Sequence, residues 1–566
     1  MSLMSGLYVG ATGLMTSSNA LNTTAHNLSN METSGYTRQQ VLLEDKVYNT
    51  IGNSAIANKQ IGLGVDYAKV RQVRDFFLDQ SFRKESGRSA FYEINYETTV
   101  EMEKTLGEFD GVAFQDSIAD IWTAIQELQK DPTSAVVQGE LVNTSAQFLE
   151  RAQAVYDGLS NYQDNLNKRV KDYVDRINEL GDTIHDLNIS IQKEEVRVSN
   201  NTDEIERSIA EANDLKDRRN AALDELSKLA NIKYNTNADG AIEVNLEGIT
   251  FVGRDRVFHM DTTVDLGTGF YTPVWPQNEN QPVFNPKQEL SSYLNTDIGE
   301  LKAIVFARGD RRANYTDMAD KDYYTNGGFD TTLGRDCIPV ASSMVMNIQA
   351  ELDNLVHTMM TNINDILADE YGTPDASRTG YSEDDVSNIY ELFVRLGTDR
   401  YTDDGTGNYS YVSENNSAPQ HSDISTLYTL GNVKINPDLL KQPTKLSFMT
   451  DDNCADQTKA DMLAKAFTDP FGALNPNLTM QYNFADYYAA MVGQIATTGS
   501  VYNSIVQAQQ VTVEQLEANR QSVMGVSSNE ELSNMIKFQN AYNAASRYIT
   551  TLNDMLGTII ERLGGG

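Results

Sequence analysis

Apolar residues at the two ends of the chain recur at alternating spacings of three and four. Near the start these are Met4, Leu7, Ala11, Leu14, Ser18, Leu21, Ala25 and Leu28. Near the end they are Met535, Phe538, Tyr542, Ala545, Ile549, Leu552, Leu556, Ile559 and Leu563. Such spacing keeps one seam of a helix facing a partner helix, as in a coiled coil. The first stripe is small-sided and the second bulky, as if each packs on the other or on a neighbouring molecule. Chain ends have little else to cover them, so intermolecular packing is the stronger expectation, with the ends ordering as they bind.

Between the stripes the pattern changes several times. The polar stretch 27–40 contains Ser34-Gly35-Tyr36-Thr37-Arg38 and reads as a helix stop and a turn. Ile61-Gly62-Leu63-Gly64-Val65 predicts a strand flanked by glycine turns, and from about residue 75 a helix runs to Lys130. Asp131-Pro132-Thr133 breaks it, since proline drives the preceding residue out of helical geometry. Leu166, Val170, Tyr173, Ile177, Leu180, Ile184, Leu187 and Ile191 then predict a helix over 135–198, on the order of 90 Å long at the usual helical rise. A loop over 199–203 follows, and Asp203 with Glu206 has the spacing of a capping box for a returning helix. Ala212, Leu215, Ala222, Leu226 and Leu229 lie on one side of that helix, giving a long antiparallel helical hairpin. Ile232 to Tyr234 and Ile242 to Leu246 alternate apolar and polar around Asp239-Gly240, the pattern of a β-hairpin. Helical periodicity returns over 339–367 and again from Asn483 to the end, interrupted near Met524-Gly525-Val526-Ser527.

The predicted fold is therefore mainly α with β-rich insertions: a long, rod-shaped discontinuous helical bundle built from N- and C-terminal segments, with two inserted domains facing outward. Its expected parts are a terminal helical assembly domain (1–55 plus 522–566) and a long bundle (56–230 plus 336–370 plus 481–521). A β-rich insert (231–335) and a second, variable insert (371–480) complete it.

Composition narrows the functions open to such a chain. Its 566 residues carry a formal charge of −35, which argues against nucleic acid as a partner, because phosphate binding relies on Lys and Arg. No stretch approaches the roughly 18 apolar residues of a membrane span, so no membrane partner is expected. The opening segment also lacks the basic start and apolar run of a secretory signal. Cys337 and Cys454 are too few for a disulfide scaffold, and spacing leaves their pairing open. His26, His185, His259, His357 and His421 are scattered and form no His-Glu-x-x-His pattern. Gly62 and Gly64 lack the third glycine of a dinucleotide site and read as turns. The acidic stretch 399–414 offers no EF-hand register. No catalytic residue, metal site or cofactor is expected.

Several segments together resemble the bacterial flagellar rod and hook axial family. They are Ser5-Gly6-Leu7, Ala20-Leu21-Asn22-Thr23, His26-Asn27-Leu28-Ser29-Asn30 and Thr33-Ser34-Gly35-Tyr36-Thr37-Arg38. Gly35 to Gln39 is most similar to the hook-associated branch of that family, as are Gly62 to Val65, Asp131 to Ser134 and Ala212 to Arg219. The run from Ser522 to Ser527, with Glu530-Glu531-Leu532 and Phe538-Gln539-Asn540-Ala541-Tyr542, is similar to the family's closing helix. Where the family commonly has Ser-Gly-Val-Asn, this chain has Met524-Gly525-Val526-Ser527. The resemblance covers roughly 1–235, 339–368 and 483–566. It implies a non-enzymatic, secreted structural component at the junction of flagellar hook and filament, exported unfolded through the flagellar type III apparatus. The implied partners are copies of itself in a ring, hook protein, the next hook-associated protein, and an export chaperone at the C-terminal helix. On this reading Leu7, Leu14, Leu21 and Leu28, with Met535, Phe538, Tyr542, Ile549, Leu552, Leu556, Ile559 and Leu563, form the assembly interface. The axial signature is Asn27, Asn30, Gly35, Tyr36, Thr37 and Arg38, with a role in subunit contact or export. Hook or filament protein, or a scaffold whose inserts carry a binding or enzymatic activity, are the alternatives.

Overall fold

A computed structural model describes residues 3–564 apart from 34, 47–48, 54–57, 108–113, 201–204, 331–334, 369–378, 382–385, 387–389, 415–423, 447 and 450–453. In chain order the helices are α1 (Leu3–Ser29), α2 (Phe76–Leu106), α3 (Phe114–Lys130), α4 (Ala135–Asn200), α5 (Ile205–Leu229), α6 (Glu300–Arg308), α7 (Lys321–Asn326), α8 (Met344–Leu367), α9 (Pro437–Lys441), α10 (Gln457–Thr468), α11 (Phe484–Met524) and α12 (Ser528–Gly564). The fold is mainly helical with small antiparallel sheets, as the residue pattern predicts. Two compact units are formed, one from 1–87, 177–259 and 509–566, the other from 88–176 and 260–508.

In the first unit α1 packs along α12. The strands β1 (Gln39–Asp45), β2 (Asn49–Asn53), β3 (Asn58–Ile61) and β4 (Val65–Gln72) follow α1, with β1 antiparallel to β4 and β2 to β3. Gly64, at the mouth of β4, has φ +100°, and a Cβ there would stand 2.3 Å from Thr12 Oγ1 of α1. Only glycine lets the hairpin approach the helix so closely. The predicted hairpin after α5 forms as β5 (Ile232–Thr236) and β6 (Ile242–Leu246), extended by β7 (Ile249–Val252). It is fastened to α4 by Asn188, whose amide donates to Ile242 O (2.9 Å) and accepts from Ile242 N (3.1 Å), as a strand neighbour would. Gly181 of α4 leaves room for Phe251, whose ring would lie 2.5 Å from a Cβ at that position. A buried ion network binds the helices. Arg520 of α11 donates to Asp79 and Asp224, each at 2.9 Å, Arg83 to Asp224 and Arg74 to Asp79. Its guanidinium lies over the ring of Phe82, so the charge is both paired and shielded.

The second unit has an aliphatic helical core that includes Ile121, Ile125, Leu141, Phe148, Leu352, Leu355 and Met359, all buried. Its strands are β8 (Asp261–Val264), β9 (Tyr271–Trp275), β10 (Gln281–Pro282), β11 (Phe329–Asp330), β12 (Arg335–Asp336), β13 (Thr379–Tyr381), β14 (Phe393–Arg395), β15 (Tyr401–Asp403), β16 (Tyr409–Tyr411) and β17 (Val433–Ile435). They pair in small sheets of two or three strands. The short connection after α6 is held by Arg311, which donates to Asp310 (2.6 Å) and Asp317 (3.0 Å), while Gln163 of α4 donates to the carbonyls of Arg308 and Arg311.

Two local expectations need correction or restriction. The helix expected to run unbroken from about 75 to 130 ends at Leu106, where Gly107 takes φ +72°, and resumes at Phe114. A glycine in left-handed geometry terminates a helix even where the apolar pattern continues. The expected capping box at Asp203 lies outside the described residues. By contrast the break at Asp131-Pro132-Thr133 stands where predicted, and α4 begins at Ala135. Cys337 is buried and Cys454 exposed, and the two are not joined by a disulfide.

Candidate functional site

The pair formed by α1 and α12 carries both expected interface stripes and borders the signature. Its seam is made of small residues. Gly6, Gly10, Ala20, Thr24 and Asn27 are buried. A Cβ at Gly10 would lie 2.8 Å from Ile549 Cγ1, and one at Gly6 3.2 Å from Leu552 Cδ1. Glycine and alanine thus let the bulky face of α12 come close to the α1 backbone, a packing mode in which small residues set the distance between helices. Leu7, Leu21 and Leu28 each follow one of these seam residues directly, about 100° further round the helix, and Leu14 follows Gly13, where a Cβ would lie 3.8 Å from Ala545 Cβ. These leucines are half-buried, and Tyr8 and Met15 beside them are exposed.

On α12, Leu552 is buried, Met535, Phe538, Tyr542, Ile549 and Leu556 are half-buried, and Ile559 is exposed. The side chain of Leu563 lies outside the described residues. Ile536 (60% exposed), Met555 (51%) and Ile560 (68%) are large apolar residues left in solvent. Within one chain the two ends pack on each other. Hydrophobic spacing revealed the helices but not this seam, because a stripe of leucines outranks glycines in any apolar reading. The spacing of Gly6, Gly10 and Gly13 was the available signal.

The signature residues form one hydrogen-bonded junction. Asn27, buried near the end of α1, spends its whole amide. Nδ2 donates to Gln39 O (2.8 Å) and Glu531 Oε2 (3.3 Å), and Oδ1 accepts from Gln39 N (3.0 Å) and the Tyr36 hydroxyl (2.8 Å). Asn30 donates to His26 O (3.0 Å), and Gly35 takes φ +79°. Thr37 donates from its amide (3.2 Å) and hydroxyl (2.7 Å) to Asp217 of α5, which also accepts from Gln72 Nε2 (2.9 Å). Burial pushes the Asp217 carboxyl up to about 6, against the pull of Thr37 and Arg74. Burial, with Asp214, Asp217 and Glu531 nearby, also holds the Tyr36 phenol protonated. Arg38 pairs with Glu531 (2.9 Å) and Glu530 (2.9 Å) in the first turn of α12, and its backbone N–H donates to Met524 O (2.9 Å), the last residue of α11.

Chemistry elsewhere is dispersed. His259 meets Asp182, and His357 stacks on Tyr315 with Nδ1 3.1 Å from Tyr428 O. His421 lies outside the described residues. An open cleft of about 450 Å³ is lined by Tyr315, Asn354, His357, Thr358 and Asn475. Its Tyr315 hydroxyl already donates to Glu414 (2.7 Å), and Thr358 donates to Asn354 O. The acidic turn between β15 and β16 is occupied with itself: Asp403 and Asp404 accept from the backbone N–H groups of Gly405 and Thr406. Among the described residues no helix is long and apolar enough to cross a membrane, and no group of acidic, His and Cys side chains is arranged to hold a metal.

Three family models match the chain in the order the fold displays. The flagella basal body rod protein model matches residues 7–37, which span α1 and the signature turn. The flagellar basal body rod FlgEFG protein C-terminal model matches 517–562, which span the α11–α12 break and α12. Between them, the model described as flagellar hook-associated protein FlgK helical domain matches 99–380. The chain belongs to the FlgK family of flagellar hook-associated proteins. It is similar along its length to flagellar hook-associated protein 1 of Bacillus subtilis, at 23% identity over 99% of this chain and 98% of that protein. Its counterpart in Escherichia coli is 22% identical over 97% and 98%. The flagellar hook junction protein FlgK from Burkholderia pseudomallei shares the fold with a TM-score of 0.50 at 13% identity, covering 78% of this chain and all of that one. Membership of the FlgK family makes the chain a structural component of the flagellum.

Proposed function

We propose that this FlgK-family chain is an adaptor at the flagellar hook–filament junction, and that copies of it associate through the outer apolar face of the α1–α12 pair. One observation carries the reading: closure of the small-residue seam leaves Leu7, Leu14, Leu21 and Leu28 half-covered, with Met15, Ile536, Met555 and Ile560 in solvent. Large apolar side chains left in water gain by being covered by a partner. A head-to-tail contact that repeats makes rings or helical tubes.

The same face serves copies in a ring, hook protein on one side and the next hook-associated protein on the other. Before assembly an export chaperone covers α12 as the chain leaves the cell unfolded. The terminal segments 1–55 and 522–566 act as the assembly domain. Residues 56–230, 336–370 and 481–521 form its supporting bundle, and 231–335 and 371–480 are variable inserts. The role is mechanical, with no catalytic residue and no cofactor.

Complementation of a strain lacking this protein tests the reading. That strain is expected to carry hooks without filaments and to shed free flagellin. Ile536→Asp and Met15→Asp, both at exposed positions, are expected to fold and be secreted yet leave the cells without filaments. Wild-type filaments with both variants would remove the proposed face from assembly.

A further inference from the structure

The signature turn stands at the break between α11 and α12. Gly525 occupies that break, and a Cβ there would fall 2.4 Å from the backbone oxygen of Gln521, so the bend is written into the backbone. Four elements meet residues 37–39: α5 through Thr37 and Asp217, α11 through Arg38 N and Met524 O, α12 through the Arg38 guanidinium, and α1 through Gln39 and Asn27. Glu531 is the shared anchor. It is 2% exposed, with one carboxylate oxygen taken by Arg38 Nε and the other by Asn27 Nδ2.

We infer that Asn27, Arg38 and Glu531 form an intrachain latch that fixes the direction in which the α1–α12 pair leaves α11. A glycine-containing break between two helices is a hinge unless side chains bridge it, and charge-assisted hydrogen bonds to a desolvated carboxylate are among the strongest bridges available. The acidic first turn of α12 adds to this, because Glu530 and Glu531 sit where the helix N-terminus favours negative charge. These residues are positioning residues. They present the apolar face proposed above in one orientation, and a subunit whose face points variably cannot add to a regular array.

Distance measurement across the hinge tests the latch without reference to assembly. Nitroxide labels at Val511→Cys on α11 and Asn540→Cys on α12, in a Cys454→Ser background, report the α11–α12 geometry of the full chain by pulsed electron paramagnetic resonance. The unlatched reference is Arg38→Gln, with Glu531→Gln as its partner. The parent is expected to give one narrow distance distribution, and each single variant a broader one. The double variant should broaden by less than the sum of the singles, since the Arg38–Glu531 bond is common to both. Circular dichroism serves to establish that each variant keeps its helices. Distributions as narrow as the parent's in the folded single variants would overturn the latch, as would additive broadening in the double. Should Arg38→Gln lose helical content, Glu531→Gln alone, which keeps both donors, decides by the same criterion. In cells, broadened variants are expected to be secreted but to restore fewer filaments. The Ile536→Asp result distinguishes the two ideas, because that variant leaves the hinge narrow while removing the assembly face.

Discussion

At the scale of single residues, the chain relies on groups that are costly to replace. Gly10 lies where a side chain would meet Ile549 at 2.8 Å and Tyr548 at 3.1 Å. Gly10→Val is therefore expected to push α1 from α12 and destabilise their pairing by about 1–3 kcal/mol, the usual cost of overpacking. Loss of thermal protection in the first unit, with the second unchanged, would register it; an unchanged melting profile would contradict the seam. Glu351, fully buried on α8, is a different kind of strain. One of its oxygens accepts from Asn347 (2.9 Å) and Gln494 (3.2 Å), and burial pushes the carboxyl up to about 8 against the pull of Asn347, Gln494 and Asn475. A folded value above the unfolded one means that the contribution to stability is complete at low pH and disappears as pH rises through about 8. The rise from the ordinary value of 4.5 corresponds to an upper limit of about 5 kcal/mol. Stability of the second unit against urea should thus fall between about pH 5 and pH 8 and level off above that, and Glu351→Gln, which mimics the neutral acid, should flatten that decline. An identical decline in wild type and variant would show that Glu351 ionises freely.

At the scale of elements, sequence and structure agree where the signal is local and part where it is not. The break at Asp131-Pro132-Thr133, the long α4 and the β5–β6 hairpin were legible, because proline geometry, three-four spacing and an Asp-Gly turn each act within a few residues. The interruption at Gly107 was not, since apolar residues continue on both sides and only the left-handed backbone of the glycine ends α2. The helices of the terminal pair were legible and the faces only partly so. Leucine spacing marks the stripe, whereas the seam is made of residues whose value lies in having little side chain. The signature shows the limit most clearly. Its residue types suggested a turn, but their meaning lies in partners far away in sequence: Asp217 is 180 residues from Thr37, and Glu531 is 493 from Arg38. Hydrogen bonds of that separation leave no periodic trace. The resemblance to axial proteins placed the motif without saying what it holds.

For the whole molecule, the balance between repulsion and apolar attraction sets the conditions for association. The chain carries a formal charge of −35, so copies approaching one another repel unless ions screen them. Its proposed contact face contributes leucine, isoleucine and methionine surface, whose attraction does not require charge. These two terms predict an unusual direction for salt. If opposite charges held the subunits together, added salt would weaken them. With apolar faces on like-charged bodies, raising monovalent salt from about 10 mM to about 150 mM shortens the screening length from roughly 30 Å to roughly 8 Å and should strengthen association. Sedimentation velocity of the purified chain across that range reads the outcome directly. The oligomeric fraction should rise with salt in the wild type and stay near zero in Ile536→Asp, which alters the face while adding only one charge to a large total. A fall with salt would mean that complementary charge, rather than the half-covered leucines of α1 and the solvent-facing residues of α12, carries the subunit contact.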